Sequence, residues 1–467
     1  FIPSTSEKYY KRTYKRSCEI LKGKVGYEIF VDRFYNFNNK GYTFIPWNIP
    51  VKAYDKQEYD FYGGNLKGIS KKIEYLKKLS VDFIYITPVF KANTNHRYDT
   101  LDFFCIDEKA GTERDLLELK SILKENSIEL YMDIALNHTS RFNSMKENID
   151  FYTGKNWANV ENLPELNLES AELKNYLFRE DSSVMKSYLR KGLANWRFDC
   201  AYDLGYEILK EIKHNMDKVC ENEVIGEVWS YPLEWCKVID GVMNYYFQQL
   251  IKMLLYGKID GTTFTAAVAK TSEECGDKIL KSWNILSTHD TPRIKNIFGD
   301  LWKIAVILQF TVPGSPLVYY GEEIGMQGEG DPYCRQPMLW QEDLQGNEAY
   351  CFYLKLIDEY KKTKGINSGR FKQLSSSDSE VVCFERTSDE IRDTRFVIAN
   401  PTNKMISACI ITENSSLMNY SKIKDVFSET EFEIFSSCID AVIPPKFAGV
   451  FKIKEERSSY NPYKRIP

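Results

Sequence analysis

Eight short apolar runs, each followed by a stretch of helical periodicity, fill the chain from about Val25 to Lys364. They are Gly26–Val31, Phe83–Thr87, Glu129–Ala135, Asn195–Ala201, Glu223–Val228, Gly241–Asn244, Ser282–Ser287 and Pro316–Tyr320. Amphipathic stretches such as Leu66–Leu79, Glu113–Glu125, Leu204–Lys218 and Leu301–Phe310 lie between them. Strands that return through helices pair in parallel, because a parallel neighbour needs a long crossover. Eight such units predict an α/β fold, a (β/α)₈ TIM barrel. An open doubly wound sheet gives the same alternation, so periodicity alone leaves both architectures available.

Two segments break the rhythm. Residues 137–177 form a longer excursion after the third run, expected to be a small insertion domain. After Gly365 the pattern changes to short alternating strands: Val381–Glu385, Arg395–Ala399, Ile406–Ile411, Phe432–Phe435 and Val450–Lys454. The expected organisation is a barrel from 1–136 and 178–365, the insertion at 137–177, and a C-terminal antiparallel β-sandwich over 366–467. A length of 467 residues suits one large core plus smaller units, since single cores rarely outgrow about 250–300 residues.

Composition removes several function classes. The net charge is −4 and no long basic run occurs, so no nucleic-acid partner is expected. No apolar run is long enough to span a bilayer. The opening, FIPSTSEKYYKRTYKR, lacks the apolar stretch of a secretory signal. The 11 cysteines are scattered without C-x-x-C pairs and read as mostly free thiols of a reducing compartment. A cytoplasmic location is the expectation, with secretion after removal of a signal segment as the alternative. Aromatic residues reach 14%, which serves a large core first and sugar-stacking surfaces second.

The rim of a barrel carries its chemistry at the C-terminal strand ends. There the chain places Asp133-Ile-Ala-Leu-Asn137-His138, Arg197-Phe-Asp199, Gly226-Glu227-Val-Trp229 and Thr288-His289-Asp290. Residues i and i+2 of a strand point the same way, so Arg197 and Asp199 share a face and Cys200 should point to the helices. A guanidinium beside Asp199 should keep that carboxylate ionised, as a nucleophile requires. Glycoside hydrolysis needs one ionised carboxylate and one proton-holding carboxyl, and Asp199 and Glu227 on adjacent strands suit those roles. Of four histidines, His96, His138 and His289 fall at strand ends or the loops after them, whereas His214 lies in a helix. They come from separate loops without ligand spacing, so no metal site is expected.

At these residues the sequence resembles the α-amylase superfamily (glycoside hydrolase family 13) from about Gly26 to Leu339. DIALNH, WRFDCA, GEVW and STHD are similar to its four signatures, in order, and ITPVF and GSPLVYYGEE to two further blocks. LPELN, FYGGNLKGI, NHRYDT and GDPYCRQPMLW resemble the neopullulanase/cyclomaltodextrinase branch. The resemblance implies Asp199 as nucleophile, Glu227 as general acid/base and Asp290 as the residue that holds sugar hydroxyls. It places His96, Tyr98, His138, Arg197, Trp229, His289, Asp331 and Arg335 around the substrate. The implied activity is retaining hydrolysis of α-1,4-glucosidic bonds in maltooligosaccharides, cyclodextrins and starch-type glucans. An α-glucosidase, a transglycosylase and a non-catalytic carbohydrate-binding relative are the alternatives.

Departures from the family pattern carry their own expectations. Tyr202-Asp203 stands where relatives carry Lys-His or Asn-Glu, on the leaving-group side, and Thr288 replaces a common Asn or Ser. Asn36, Asn38, Asn39 and Asn65 occupy a region where relatives bind calcium through Asp. No cofactor is expected to be required, and calcium binding should be weak or absent. With about 24 residues before the first strand, the branch's N-terminal domain is missing from this sequence. An open cleft and a monomer are the expectation.

Overall fold

The computed structural model describes residues 22–38, 41–53, 57–341, 343–415 and 417–454. All eight expected runs form strands of one closed parallel barrel. We number them β1 (Gly26–Ile29), β2 (Phe83–Ile86), β3 (Glu129–Ala135), β4 (Asn195–Asp199), β5 (Glu223–Val228), β6 (Gly241–Asn244), β7 (Trp283–Asn284) and β8 (Ser315–Tyr319). Each pairs with its sequence neighbour, and β1 with β8 closes the ring. Closure decides between the two architectures: an open doubly wound sheet would leave two edges.

Strand alternation sorts side chains into two cores. Ile84, Ile86, Met132, Ile134, Trp196 and Phe198 face outward into the layer beneath the helices. Phe83, Tyr85, Tyr131, Met243, Trp283 and Leu317 fill the barrel interior. The Trp283 ring packs 5.1 Å from both Phe83 and Tyr131. Such bulk needs a gap elsewhere in the layer. A Cβ on Gly26 would meet the Phe83 ring at 2.1 Å, so β1 contributes a glycine there. Five aromatic residues, Phe83, Tyr85, Tyr131, Tyr245 and Trp283, fill the barrel in this way.

The helix Glu113–Glu125 matches the expected range. Thr112 caps it: its Oγ1 accepts from Asp115 N at 3.2 Å while its own N–H donates to Asp115 Oδ2 at 2.9 Å. Such a cap contributes about 1 kcal/mol. The expected helix over 66–79 divides into Leu66–Lys71 and Ile73–Lys78. The helix after β4 starts earlier than its periodicity suggests, at Ala201, and breaks at Gly205, where φ is +75°. Within 137–177, Tyr152–Asn156 pairs antiparallel with Pro164–Leu166.

The C-terminal strands are β9 (Arg370–Gln373), β10 (Ser375–Ser376), β11 (Val382–Thr387), β12 (Arg395–Asn400), β13 (Ile406–Ile411), β14 (Ser421–Asp425), β15 (Glu431–Phe435), β16 (Cys438–Ile443) and β17 (Phe447–Ile453). They form one sheet ordered β9-β11-β12-β17-β14-β15-β16-β13-β10 rather than two separate ones. Its edges, β9 and β10, are consecutive in the chain, so the sheet rolls until they meet at Leu374. The rolled sheet encloses Leu374, Phe396, Ile410, Ile439 and Phe451. Cys409 and Cys438 are joined on neighbouring β13 and β16; among the described residues eight other cysteines are free. No helix among the described residues is long and apolar enough to cross a membrane.

Candidate active site

Inward-facing polar residues cluster where β3, β4 and β5 end. Arg197 is fully buried. Its Nη1 donates to Asp199 Oδ1 at 2.7 Å and to both Asp133 oxygens at 3.0 Å. Its Nη2 stands 2.8 Å from Glu227 Oε2, an ion pair without hydrogen-bond alignment. One guanidinium thus faces three carboxylates from three adjacent strands. Glu227 also accepts from Cys200 N at 3.0 Å and Trp229 Nε1 at 3.3 Å. An oxygen of Asp199 and one of Glu227 lie within 4.8 Å of each other. Gly226 lets this strand sit close to the next layer, because a Cβ there would meet Ala201 Cβ at 2.8 Å.

Two sequence expectations fail here. Burial pushes the Asp199 carboxyl up to about 8, against the pull of Arg197 and with the help of Glu227 and Asp133. The single cation is divided among three acids, so it cannot hold Asp199 ionised on its own. The Asp199–Glu227 pair therefore keeps a proton near neutral pH. Cys200 also departs from expectation. β4 ends at Asp199, and Cys200 adopts a left-handed backbone (φ +45°) that breaks the strand alternation. Its thiol turns into the cleft and donates to Asp199 Oδ2 at 3.2 Å.

The third acid belongs to a second cluster. Arg335 Nη2 donates to Asp290 Oδ1 at 2.9 Å, and its Nη1 pairs with Asp331 at 3.0 Å. His289 Nε2 lies 3.1 Å from Asp290 Oδ2. Desolvation in the cleft is outweighed by His289 and Arg335, which hold the Asp290 carboxyl below the usual carboxylate range. Tyr98 joins the clusters: its OH donates to Asp133 Oδ2 at 2.7 Å, meets His289 Nε2 at 2.8 Å and accepts from Arg197 Nη1 at 3.3 Å.

The remaining expected residues line the same cavity of about 980 Å³. His96 Nδ1 accepts from Tyr98 N at 3.1 Å, and burial lowers its pKa to about 3, so it is neutral. His138 stacks on Trp157 with ring centroids 4.7 Å apart, and burial lowers its pKa to about 4. Trp229 stacks on Tyr245 at 3.8 Å yet remains 51% exposed. Tyr202 is likewise exposed, at 54%. Asp203 is tied to the insertion by Trp157 Nε1 at 2.9 Å. All eleven sequence-derived residues thus converge on one cavity or its immediate supports.

Sequence reasoning placed Asp133 on the rim without a role and missed Tyr85 and Glu28. Asp133, Tyr85 and Glu28 are buried beneath the cleft. Tyr85 donates to Asp133 Oδ2, and Glu28 bonds His289. The available signal was a polar residue inside an apolar run, as in GYEIF and YMDIA. Asn36 and Asn65, two of the four asparagines singled out in the sequence, make structural hydrogen bonds. Asn36 Nδ2 donates to Tyr62 O at 3.1 Å. Asn65 Nδ2 donates to Phe37 O at 3.0 Å, and its Oδ1 accepts from Gly68 N. Asn39 lies outside the described residues. Neutral amides offer calcium weaker ligands than carboxylates would.

The chain is 29% identical over 416 residues to a cyclomaltodextrinase of Bacillus sp, covering 81% of this chain and 73% of that protein. It is 28% identical over 408 residues to neopullulanase 2 of Thermoactinomyces vulgaris, covering 79% and 68%. The structure of a maltogenic amylase from S. marinus superposes with a TM-score of 0.76 at 26% identity, over 92% of this chain and 66% of that one. The family described as "Alpha amylase, catalytic domain" matches residues 28–158 and 150–394, and the chain belongs to that α-amylase family.

Proposed function

We propose that the protein hydrolyses α-1,4-glucosidic bonds of maltooligosaccharides, cyclodextrins and starch-type glucans with retention of configuration. The pairing of Asp199 and Glu227 on adjacent strands, with an oxygen of each within 4.8 Å of the other, carries this reading, since so close a pair suits direct attack by one carboxylate. Retaining glycosidases place their carboxyl groups about 5–5.5 Å apart, whereas inverting ones need about 6.5–9.5 Å to admit water. The names of the relatives supply the substrate class: cyclomaltodextrinase, neopullulanase and maltogenic amylase.

In the first step an Asp199 oxygen forms a bond to the anomeric carbon as the C–O bond to the leaving sugar breaks. Glu227 gives its proton to the departing oxygen. In the second step Glu227 takes a proton from water, whose oxygen displaces Asp199. Substrate entry excludes water and places positive charge at the anomeric carbon beside Asp199, which favours the pair's proton on Glu227. Asp290, held by Arg335 and His289, accepts hydrogen bonds from the hydroxyls of the sugar being cleaved.

Trp229 and Tyr202 favour a second activity at the same site. Both line the cavity with exposed ring faces, on which an acceptor sugar can stack and replace water. Some transglycosylation is therefore part of the reading. We further propose a monomer, since one chain supplies both acid clusters and the residues that hold them. Light scattering tests this, and a stable dimer at micromolar concentration would refute it.

Proton NMR during early hydrolysis of maltotriose tests the mechanism. The first reducing ends released should be α-anomers. A burst of β-anomer would overturn the assignment of Asp199 as nucleophile.

A further inference from the structure

Glu28 belongs to no part of the mechanism above, yet it is wholly buried and polar. It lies on β1, where Tyr27 and Ile29 face the outer core. Glu28 therefore faces the barrel axis. Its Oε1 lies 2.7 Å from His289 Nδ1 and accepts from His289 N at 3.2 Å. Its Oε2 has no hydrogen-bond partner. Among the described residues no lysine or arginine forms an ion pair with it; its only ionic contact is His289. A buried carboxylate in that setting needs a positive partner.

The other ring nitrogen is equally constrained. His289 Nε2 meets Asp290 Oδ2 at 3.1 Å and Tyr98 OH at 2.8 Å. Tyr98 spends its proton on Asp133, so toward His289 it accepts. Carboxylate and phenol oxygens thus surround both nitrogens, and all require N–H. A neutral ring has one N–H only. If it stayed on Nδ1, a bare Nε2 lone pair would face the Asp290 carboxylate.

We propose that Glu28 is a positioning residue that keeps His289 an imidazolium, and that this imidazolium holds Asp290 and Tyr98 where sugar hydroxyls bind. The proposal rests on the functional reading above for its consequence in catalysis, but not for the ring's charge. The other groups facing His289 are consistent with it. Burial opposes the charge, Asp290 and Glu28 outweigh burial, and Arg335 opposes them weakly, so the ring's pKa stands above its ordinary value. Arg335 Nε and the Cys334 thiol donate to the His289 carbonyl, leaving the ring nitrogens to the acids. His96, on the neighbouring loop, is neutral. Phe30 packs 6.1 Å from the ring and offers no hydrogen-bonding group.

The chain's four histidines make the test direct. In ¹⁵N-histidine NMR, with His289 assigned through His289→Gln, both ring nitrogens of the wild type should report the charged form at pH 7. Glu28→Gln keeps an oxygen for Nδ1–H but removes the charge. Its His289 should titrate to neutral below pH 7. Its kcat/KM on maltotriose should fall about tenfold at pH 8, with kcat carrying most of the loss, and approach wild type as pH falls to about 5.5. A purely structural role would lower activity equally at every pH. A neutral His289 in the wild type at pH 7 would overturn the proposal, and that measurement needs no variant to fold and no turnover. A Glu28→Gln protein with unchanged ring charge and unchanged pH profile would overturn it as well.

Discussion

The carboxylates of Asp199 and Glu227 approach within 4.8 Å of each other while sharing one buried guanidinium, that of Arg197. Both acids are nearly excluded from water. One positive charge cannot neutralise two buried neighbours and Asp133 together, so the pair retains a proton.

That proton sets the alkaline limit of activity. Burial raises the Asp199 carboxyl to about 8. Below that pH the pair holds the proton that the leaving oxygen needs; above it the proton is lost. A pH profile of kcat/KM on maltotriose should therefore fall on the alkaline side with an apparent pKa near 8. A profile still flat about two units higher would mean that the pair does not share a proton.

The two acids should separate by leaving group. Asp199→Asn removes the nucleophile and should lower kcat on every substrate by at least about 10⁴-fold. Glu227→Gln removes the acid, which matters little when the leaving group departs unaided. It should lose about 100-fold less activity on α-glucosyl fluoride than on maltotriose. Equal losses on both substrates would argue against Glu227 as the acid.

His138 should make the protein acid-sensitive. It is buried against Trp157, and burial lowers its pKa to about 4. The unfolded chain takes up a proton near pH 6.5, whereas the folded protein resists it. Stability is thus full above about 6.5 and declines as pH falls toward 4, by roughly 3 kcal/mol from this group. Urea unfolding of wild type and His138→Gln at pH 7 and pH 4.5 measures the difference. Parallel losses in both proteins would show that other groups cause the acid sensitivity.

Chelation should leave the protein intact. Asn36 and Asn65 supply amides already engaged with Tyr62, Phe37 and Gly68 rather than calcium-binding carboxylates. Excess EDTA should change Tm by less than about 1 °C and leave kcat/KM within about twofold. A Tm drop of about 5 °C, reversed by calcium, would reveal a site built from other residues.

The eight apolar runs were legible because a strand inside a closed barrel is buried on both faces and reads as continuous hydrophobicity. The acids at their ends were legible for the opposite reason, since charge at the end of such a run has few structural uses. Position in the chain also indicated that Arg197 and Asp199 share a face, and β4 retains that alternation. It could not indicate where alternation stops. The left-handed turn at Cys200 does that, bringing its N–H to Glu227 and its thiol to Asp199.

The sequence by itself determined the number and order of the barrel strands, the residues that end them, and the family to which their motifs point. Each of these follows from local periodicity and residue chemistry. Only the tertiary structure decided how charge is distributed among those residues. Arg197 beside Asp199 in the chain suggested an ionised carboxylate, but barrel closure brings Asp133 and Glu227 to the same guanidinium. It also sets Glu28, 261 positions away in sequence, against His289. Protonation is a property of burial and of neighbours in space, and long-range packing creates both.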